Sequence, residues 1–266
     1  MQGKTKLETK FDDMLSTPIE KLLTNLSIVS SSSKITPVVL ITTGSMNPIH
    51  IQHVEMFKIA KERLEMALPD HKVVAGYISP SQDLYVQNKL YEETITAEHR
   101  IEMVRLATQD SSWIDVDTWE SKFPTIHFID YFQVVRRLSE FLNDHEQIKR
   151  SLPDKTKIKV MYLCGSDHVI RTGAKGLDEY GLVIIERNFG KKDNIWRNVC
   201  ERKLDSVYNH SWKEKDFVHF VEGENDTDVS STKIRSLLRD RNNKWEELCD
   251  ERVVKYMKDH NILTAE

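Results

Sequence analysis

The sequence predicts an α/β fold in which helices cover a doubly wound, mostly parallel sheet. Six short segments have the composition of strands, and between them apolar residues recur at helical spacing. Strands that alternate with helices form βαβ crossovers, which place helices on both faces of a parallel sheet. Ligands of such sheets bind beyond the carboxyl ends of the strands, so functional motifs are expected there.

Each element follows from its own local pattern. Short runs of continuous or alternating apolar residues, closed by glycine, proline or polar residues, predict strands over residues 37–42, 73–78, 114–117, 158–164, 182–185 and 218–221. Apolar residues three or four apart predict helices over residues 53–68, 96–107, 128–142, 231–239 and 244–258. Thr96 can cap its helix, and the polar, turn-rich segment before it is predicted as a loop that reaches about Ile95.

Residues 1–34 are expected to form an appendage, and residues 35–266 a single domain that closes with C-terminal helices. One short amphipathic helix in the appendage is predicted from the apolar residues Met14, Ile19, Leu22, Leu23 and Leu26. The serine run 30–33 is typical of a flexible link. We expect this arm to pack on the domain or on a neighbouring subunit.

The composition is typical of a globular protein and excludes several classes of function. Of the 266 residues, 39% are hydrophobic and 30% are charged, with a formal net charge of −4. This charge does not favour a general nucleic-acid-binding surface, and no apolar run approaches the ~20 residues that span a bilayer. Neither nucleic acid nor a membrane is expected as a partner, whereas a homo-oligomer stays open.

The cysteines and the N-terminus indicate a reducing compartment. Cys164, Cys200 and Cys249 are odd in number, far apart and not part of a CxxC pair. The first 20 residues mix lysine with acidic residues, which fits neither a secretory signal nor a mitochondrial transit peptide. We therefore expect the cytoplasm or the nucleus.

The segment after the first strand is the first candidate site. Gly44 allows the backbone to approach a ligand closely, and Ser45 and Asn47 offer short polar groups. His50 and His53 share a face of the opening helical turn, whose free N–H groups favour an anion. These features fit a polyphosphate, but every doubly wound fold has a strand–glycine–helix junction, and the residues alone leave both alternatives open.

The start of the helix at residue 231 is the second candidate site. Lys233 and Arg235 lie in its first turns, where the helix dipole disfavours cations unless an anionic ligand is held there. An ordinary surface helix with basic residues is the alternative. In either case Arg235 is expected to lie on the surface and to contribute little to folding stability.

Together the two segments resemble the motifs of the nucleotidyltransferase superfamily that shares the α/β phosphodiesterase fold. That superfamily has Gly-x-Phe-x-Pro-x-His/Thr-x-x-His after a strand, where this chain has Gly44-Ser45-Met46-Asn47-Pro48-Ile49-His50-Ile51-Gln52-His53. It ends its catalytic domain with Ile-Ser-Ser-Thr-x-Ile-Arg, where this chain has Val229-Ser230-Ser231-Thr232-Lys233-Ile234-Arg235. Met46 replaces the usual phenylalanine with another large apolar side chain.

Four further stretches resemble the nicotinamide mononucleotide adenylyltransferases of the eukaryotic type. They are Ile78-Ser79-Pro80 with Asp83 and Tyr85, His99-Arg100 with Arg105-Leu106-Ala107, Val116-Asp117-Thr118-Trp119-Glu120-Ser121, and Leu163-Cys164-Gly165-Ser166-Asp167. The resemblance covers the chain from about Pro37 to the C-terminus. Two segments depart from the family, because the loop after Tyr85 carries only one lysine, Lys89, and the segment 171–177 is short and lacks an aromatic residue.

The resemblance implies an enzyme that joins ATP to nicotinamide or nicotinate mononucleotide, giving NAD or deamido-NAD and pyrophosphate. It assigns His53, His50 and Arg235 to catalysis, with Mg²⁺ carried by ATP and no protein metal site. It assigns to ATP the residues Gly44, Ser45, Met46, Ser231, Thr232 and Lys233. It assigns to the mononucleotide the residues Asn47, Lys89, Gly165, Asp167 and Trp119, the last by stacking on the pyridine ring.

Two other functions stay open. The acceptor could be a flavin or pantetheine phosphate, although Trp119 and its neighbours favour a pyridine. The chain could also be a catalytically silent, chaperone-like homologue, although such a protein would not need His50, His53 and Arg235.

Overall fold

Six strands form one parallel sheet: β1 (Thr36–Gly44), β2 (His71–Pro80), β3 (Ile114–Val116), β4 (Lys159–Gly165), β5 (Leu182–Glu186) and β6 (Val218–Glu222). Their order is β3-β2-β1-β4-β5-β6, and every neighbouring pair is parallel. The predicted doubly wound fold is confirmed. Because the strand order reverses between β1 and β4, a crevice forms at their carboxyl ends.

Helices connect the strands and cover the sheet. They are α1 (Glu20–Leu26), α2 (Ile51–Ala67), α3 (Asp83–Leu90), α4 (Ala97–Thr108), α5 (Trp119–Lys122), α6 (Tyr131–Asp144), α7 (Glu146–Ser151), α8 (Ser166–Thr172), α9 (Ile195–Tyr208), α10 (Ser211–Glu214), α11 (Ser231–Arg239) and α12 (Glu251–Asp259). Two 3-10 turns, Tyr91–Glu93 and Asn243–Leu248, precede α4 and α12. This computed structural model describes residues 17–27, 29, 34–186, 195–214, 217–223 and 229–263. Within those ranges no helix combines the length and the apolar character that crossing a membrane requires.

The sheet separates two apolar cores, as the continuously apolar first strand predicts. Val38 and Leu40 of β1 point into a core shared with α2, α4, α11 and α12. Val39 and Ile41 point the other way, into a core shared with α1, α6, α8 and α9. All four side chains are fully buried, so β1 is the central strand on which both layers pack and its carboxyl end is held rigidly.

The N-terminal arm packs on its own domain. Leu22 and Leu26 of α1 are fully buried in the second core. The hydroxyl of Tyr77 in β2 donates a hydrogen bond of 2.7 Å to the Pro18 carbonyl, and the Asn25 amide donates one of 3.1 Å to the Val74 carbonyl. Met14 and the serine run 30–33 lie outside the described residues.

Three predicted boundaries are wrong. The predicted loop before Thr96 contains α3, which buries only Val86 and therefore lacks an amphipathic pattern. The helix predicted from Phe128 begins at Tyr131, because Asp130 caps it. The predicted helix 244–258 is interrupted, since Asp250 accepts a hydrogen bond of 2.9 Å from the Arg252 backbone and starts α12 anew. The helices α5, α7, α8, α9 and α10 were not predicted either.

Candidate functional site

A cavity of about 430 Å³ lies beyond the carboxyl ends of β1 and β2, on the β4 side. Its walls come from the end of β1, from α3, from the segment before α6 and from α8. That volume lies within the usual range for small-molecule sites. The cavity occupies the place where doubly wound sheets bind ligands, as the strand order requires.

Hydrogen bonds between His50 and His53 hold the turn that carries both histidines. His50 caps α2, and its backbone N–H donates a hydrogen bond of 3.2 Å to Nδ1 of His53. The two rings stack with their centroids 3.7 Å apart. Because Nδ1 of His53 accepts a hydrogen bond, the proton of the neutral ring lies on Nε2, which can donate to an anion.

The side chains of Met46 and Asn47 are buried among residues of the chain, and their roles toward a ligand stay predictions. Met46 is 2% exposed, and its side chain belongs to the first core. Asn47 is fully buried, its amide donates to the Glu93 carbonyl at 2.8 Å, and its side-chain oxygen accepts from the Ile95 backbone at 2.8 Å. The Asn47 amide therefore ties the β1 loop to the segment before α4.

The two motifs are in direct contact, although 183 residues separate Pro48 from Ser231. The Ser231 hydroxyl donates a hydrogen bond of 2.8 Å to the Pro48 carbonyl. Ser230 caps α11 by accepting a hydrogen bond of 3.2 Å from the Lys233 backbone. The N-terminus of α11, with Thr232 and Lys233 exposed, thus lies beside the histidine turn.

Arg235 is not the surface cation that the sequence predicts. The residue is 7% exposed, and its Nε donates to the Glu93 carboxylate at 3.0 Å. Its other nitrogens donate to the Asn47 carbonyl at 3.0 Å and to the Thr232 hydroxyl at 3.4 Å. A carboxylate of the chain therefore balances the charge that the helix dipole disfavours, and no ligand is needed to explain the position of Arg235.

A buried arginine that sequence reasoning missed holds the loops of the site together. Arg100 in α4 is fully buried and donates to the carbonyls of Ser45 at 2.8 Å and Ser81 at 2.7 Å. It also forms an ion pair of 2.7 Å with Asp83. Arg100 thereby links the loops after β1 and β2. Nothing in the sequence indicated this role of Arg100 except the resemblance of the His99-Arg100 pair to the family.

Lys89 lies at the cavity end nearest to the first motif. Its Nζ is 3.5 Å from the Ser45 hydroxyl, and both residues line the cavity. Burial lowers the pKa of Lys89, and the positive charges of Arg171 and Arg235 lower it further. Such a concentration of positive charge is suited to an anion.

Trp119 is not among the residues that line the cavity, and its stacking on a pyridine ring stays a prediction. Its ring packs against Phe123 at 5.1 Å and against the Arg137 guanidinium at 5.4 Å. The cavity has other aromatic walls, in which Tyr85 and Phe128 lie 5.1 Å apart. Phe128 is 56% exposed, so its ring is accessible. In the sequence, the aromatic residues of the segment after residue 123 were the feature that could have indicated these walls.

Glu120, next to Trp119, is a cavity residue that sequence reasoning did not identify. Its side chain is 2% exposed, and its Oε2 is buried without a hydrogen-bond partner among the described residues. Burial raises the pKa of Glu120 to about 8, while a hydrogen bond with Ser81 opposes the shift. The carboxyl is therefore largely protonated, and so uncharged, at neutral pH.

Gly165 and Asp167 occupy the end of β4, as predicted, but neither lines the cavity. Gly165 is the N-cap residue of α8, and Asp167 is exposed in the first turn of that helix. Across the part of the chain that the structure describes, no group of three or more His, Cys, Asp or Glu side chains is placed to hold a metal ion.

A second cavity, of about 530 Å³, lies within the helical layer. It is lined by His50, by α2 and the end of α4, and by Arg252, and it extends to Trp113 before β3. It reaches the histidine turn only from the side of α2, whereas the end of β1 and the residues Ser45 and Lys89 line the smaller of these two cavities. That cavity is therefore the candidate site.

Comparison with known proteins identifies the family of the chain. The family described as cytidylyltransferase-like matches residues 41–237. The chain is 31% identical to the nicotinamide/nicotinic acid mononucleotide adenylyltransferase 1 of Bos taurus, over 88% of this chain and 92% of that protein. It is 29% identical to the corresponding protein of Arabidopsis thaliana, over 93% and 97% of the two chains.

The fold also matches a solved structure. It is that of Plasmodium falciparum nicotinic acid mononucleotide adenylyltransferase complexed with NaAD, with a TM-score of 0.56. The match covers 85% of this chain and 97% of that one, at 15% sequence identity. At this level of identity the likeness concerns the fold alone.

Proposed function

The chain belongs to the cytidylyltransferase-like family and is a relative of its nicotinamide/nicotinic acid mononucleotide adenylyltransferases, and on that premise we propose that it transfers the adenylyl group of ATP to a pyridine mononucleotide. A phosphate oxygen of the mononucleotide forms a bond to the α-phosphorus of ATP. The bond from that phosphorus to the bridging oxygen breaks, and pyrophosphate leaves. The product is NAD or its deamido form.

The contact between the two motifs carries this proposal. The hydrogen bonds from Ser231 to Pro48 and from Arg235 to Asn47 bring the histidine turn and the start of α11 together. They do so at the loop whose Ser45 lines the cavity. Two anionic substrates can therefore be bound side by side, one in the cavity and one over the helix ends. Positioning and charge stabilisation are the main contributions an enzyme makes to phosphoryl-type transfer.

His53 is proposed to stabilise the reacting phosphate. The His50 backbone N–H donates to Nδ1 of His53 and orients the ring, and we propose that the Nε2 N–H donates to a phosphate oxygen. Arg235 has five N–H donors and uses three of them for Glu93, Asn47 and Thr232. The remaining donors, with Lys233, are proposed to contact the ATP phosphates.

Ser45 and Lys89 are proposed to bind the mononucleotide phosphate, and the rings of Tyr85 and Phe128 to contact the pyridine. All four line the same cavity. An electron-poor pyridinium ring stacks favourably on an aromatic side chain. Lys89 lies in the last turn of α3 with its Nζ 3.5 Å from the Ser45 hydroxyl, so the two can contact the same phosphate group.

Enzymes of this family generally use a divalent metal with ATP, and we propose that the metal here is Mg²⁺ bound through the phosphates. It would reduce the negative charge that the two substrates bring together. Ser231, Thr232 and Lys233 at the start of α11 would orient the phosphates that carry it.

Pyrophosphate release with a panel of acceptors tests the function. We expect release with nicotinamide or nicotinate mononucleotide, and little with flavin mononucleotide or 4′-phosphopantetheine. Release only with the latter acceptors would support the alternative substrate. No release with any acceptor, together with an ATP-induced rise in melting temperature, would support a silent nucleotide-binding homologue.

We also propose a reducing compartment, the cytoplasm or the nucleus. Cys164, Cys200 and Cys249 are free and buried, and thiols persist where disulfides are reduced. Microscopy of the tagged full chain in its native cell tests the location, and a secreted product would contradict it.

A further inference from the structure

One wall of the candidate cavity carries two basic side chains that have no role in the adenylyl transfer proposed above. Arg171 of α8 and Lys175 just after it both line the cavity. Gly173, with a φ of 71°, ends α8 in a left-handed turn between them. The chain can therefore bring both side chains to the lining of the cavity that Ser45 and Lys89 also line.

These two cations have no carboxylate within 4.0 Å among the described residues. The cavity's own acidic side chains do not neutralise them. Asp130, which caps α6 by accepting from the Gln133 backbone, supplies one negative charge against these two cations. Glu120 is buried, and its raised pKa of about 8 keeps it largely uncharged at neutral pH. The wall thus keeps a net positive charge, which contributes to lowering the pKa of Lys89.

His168, in the same helix as Arg171, has a buried ring nitrogen without a hydrogen-bond partner among the described residues. That nitrogen is Nε2, and His168 lines the cavity. Burial, followed by the charge of Arg171, lowers the pKa of His168 to about 4. Its ring lies 4.9 Å from that of Tyr131, so an uncharged imidazole is packed into the wall. Buried polar atoms in native proteins normally have partners, and a bound ligand can supply one here.

We propose that Arg171 and Lys175 bind a carboxylate on the pyridine ring, so that the chain uses nicotinate mononucleotide in preference to nicotinamide mononucleotide. This inference rests on the proposed function and specifies its substrate. The phosphate of the mononucleotide is placed at Ser45 and Lys89, and the ring at Tyr85 and Phe128. A negative substituent on the ring is then the remaining group that the basic wall can bind.

The chemistry of the two substituents explains the preference. A carboxylate offers two oxygens to the planar fork of an arginine and is also attracted by a nearby ammonium group. A carboxamide has one acceptor oxygen and no charge, and its NH₂ group would face other donors. One charge-assisted hydrogen bond corresponds to roughly a ten- to hundredfold difference in affinity.

The test compares kcat/KM for the two mononucleotides, at saturating ATP and Mg²⁺, using pyrophosphate release by the full-length chain. We expect the parent to prefer the nicotinate form at least tenfold. Arg171→Gln should reduce kcat/KM for that form by roughly ten- to hundredfold and change kcat/KM for the nicotinamide form less than threefold. Arg171→Lys should retain part of the preference. Arg150→Gln, whose side chain is 80% exposed on α7, is the matched control and should behave as the parent.

Other outcomes would overturn the inference. Equal losses for both mononucleotides in Arg171→Gln would assign Arg171 to a phosphate that both substrates share. A parent without preference, or one that prefers the amide, would also contradict it. Calorimetry of each mononucleotide with the parent and with Arg171→Gln tests the inference without turnover. The parent must bind nicotinate mononucleotide more tightly than the nicotinamide form, and Arg171→Gln must lose this difference. Absence of turnover with both acceptors would instead contradict the proposed function.

Discussion

Glu93 and Arg235 form an ion pair of 3.0 Å between residues 142 positions apart in the chain. Glu93 ends the 3-10 turn after α3, and Arg235 lies in α11. The same guanidinium donates to the Asn47 carbonyl. One buried arginine therefore joins three segments of the candidate site and holds them together.

Replacing Arg235 should destabilise the fold. Arg235→Ala leaves the Glu93 carboxylate and the Asn47 carbonyl without this donor, at a cost of about 1–3 kcal/mol in the free energy of unfolding. Lys233→Ala, an exposed position two residues earlier, is the matched control and should change stability little. Urea unfolding of the three proteins measures the difference. An Arg235→Ala variant as stable as the parent would show that the ion pair contributes nothing in solution.

Replacing His53 should impair turnover more than ATP binding. If the Nε2 proton stabilises charge that develops in the transition state, His53→Ala should lower kcat by ~10²–10³ with a small change in KM for ATP. His71→Ala is the matched control, since His71 begins β2 at the opposite end of the sheet. Steady-state kinetics of pyrophosphate release provide the measurement. A variant within a few-fold of the parent would remove His53 from the mechanism.

Phe128→Ala should affect substrate binding, whereas Trp119→Ala should affect folding stability. Phe128→Ala should raise KM for the mononucleotide about tenfold, because a stacked ring is lost, and should leave stability nearly unchanged. Trp119→Ala should instead lower the free energy of unfolding by about 1–3 kcal/mol, since its ring packs on Phe123 and Arg137. Kinetics and urea unfolding of both variants distinguish the roles. A raised KM in Trp119→Ala alone would support the original prediction for that residue.

Glu120 should make stability depend on pH. Burial raises its pKa from 4.5 to about 8 in the folded state, so the folded protein retains a proton that the unfolded chain releases. The resulting stabilisation is complete below a pH of about 4.5 and is lost as the pH rises towards 8, by about 1.4 kcal/mol per unit. Glu120→Gln cannot titrate and should lose less stability between these pH values.

Urea unfolding at pH 6 and pH 8 measures the effect of Glu120. Glu98→Gln, at an exposed position of α4, controls for the loss of one acidic group. If the parent and Glu120→Gln lose stability in parallel, the Glu120 carboxyl is not held protonated by the fold.

The fold and the two motifs could be predicted because their signals are local. A strand buried on both faces must be apolar throughout, and β1 is, so its position follows from residues 37–42 themselves. Helix α11 was predicted with the bounds that the structure shows, since Ser230 caps it and its apolar residues have helical spacing. In contrast, α3 was missed because a helix that buries only Val86 has no apolar stripe.

The sequence by itself determined the parallel α/β architecture, its six strands and the histidine turn, because each depends on neighbouring residues. Only the tertiary structure decided which side chains face the cavity. Trp119 and Phe128 both follow the third strand, yet α6 brings Arg137 against Trp119 and leaves Phe128 accessible. Likewise Arg235 is buried because Glu93 reaches it from a distant segment. A local pattern indicates which side chains are apolar or charged, but their partners come from segments that only folding brings together.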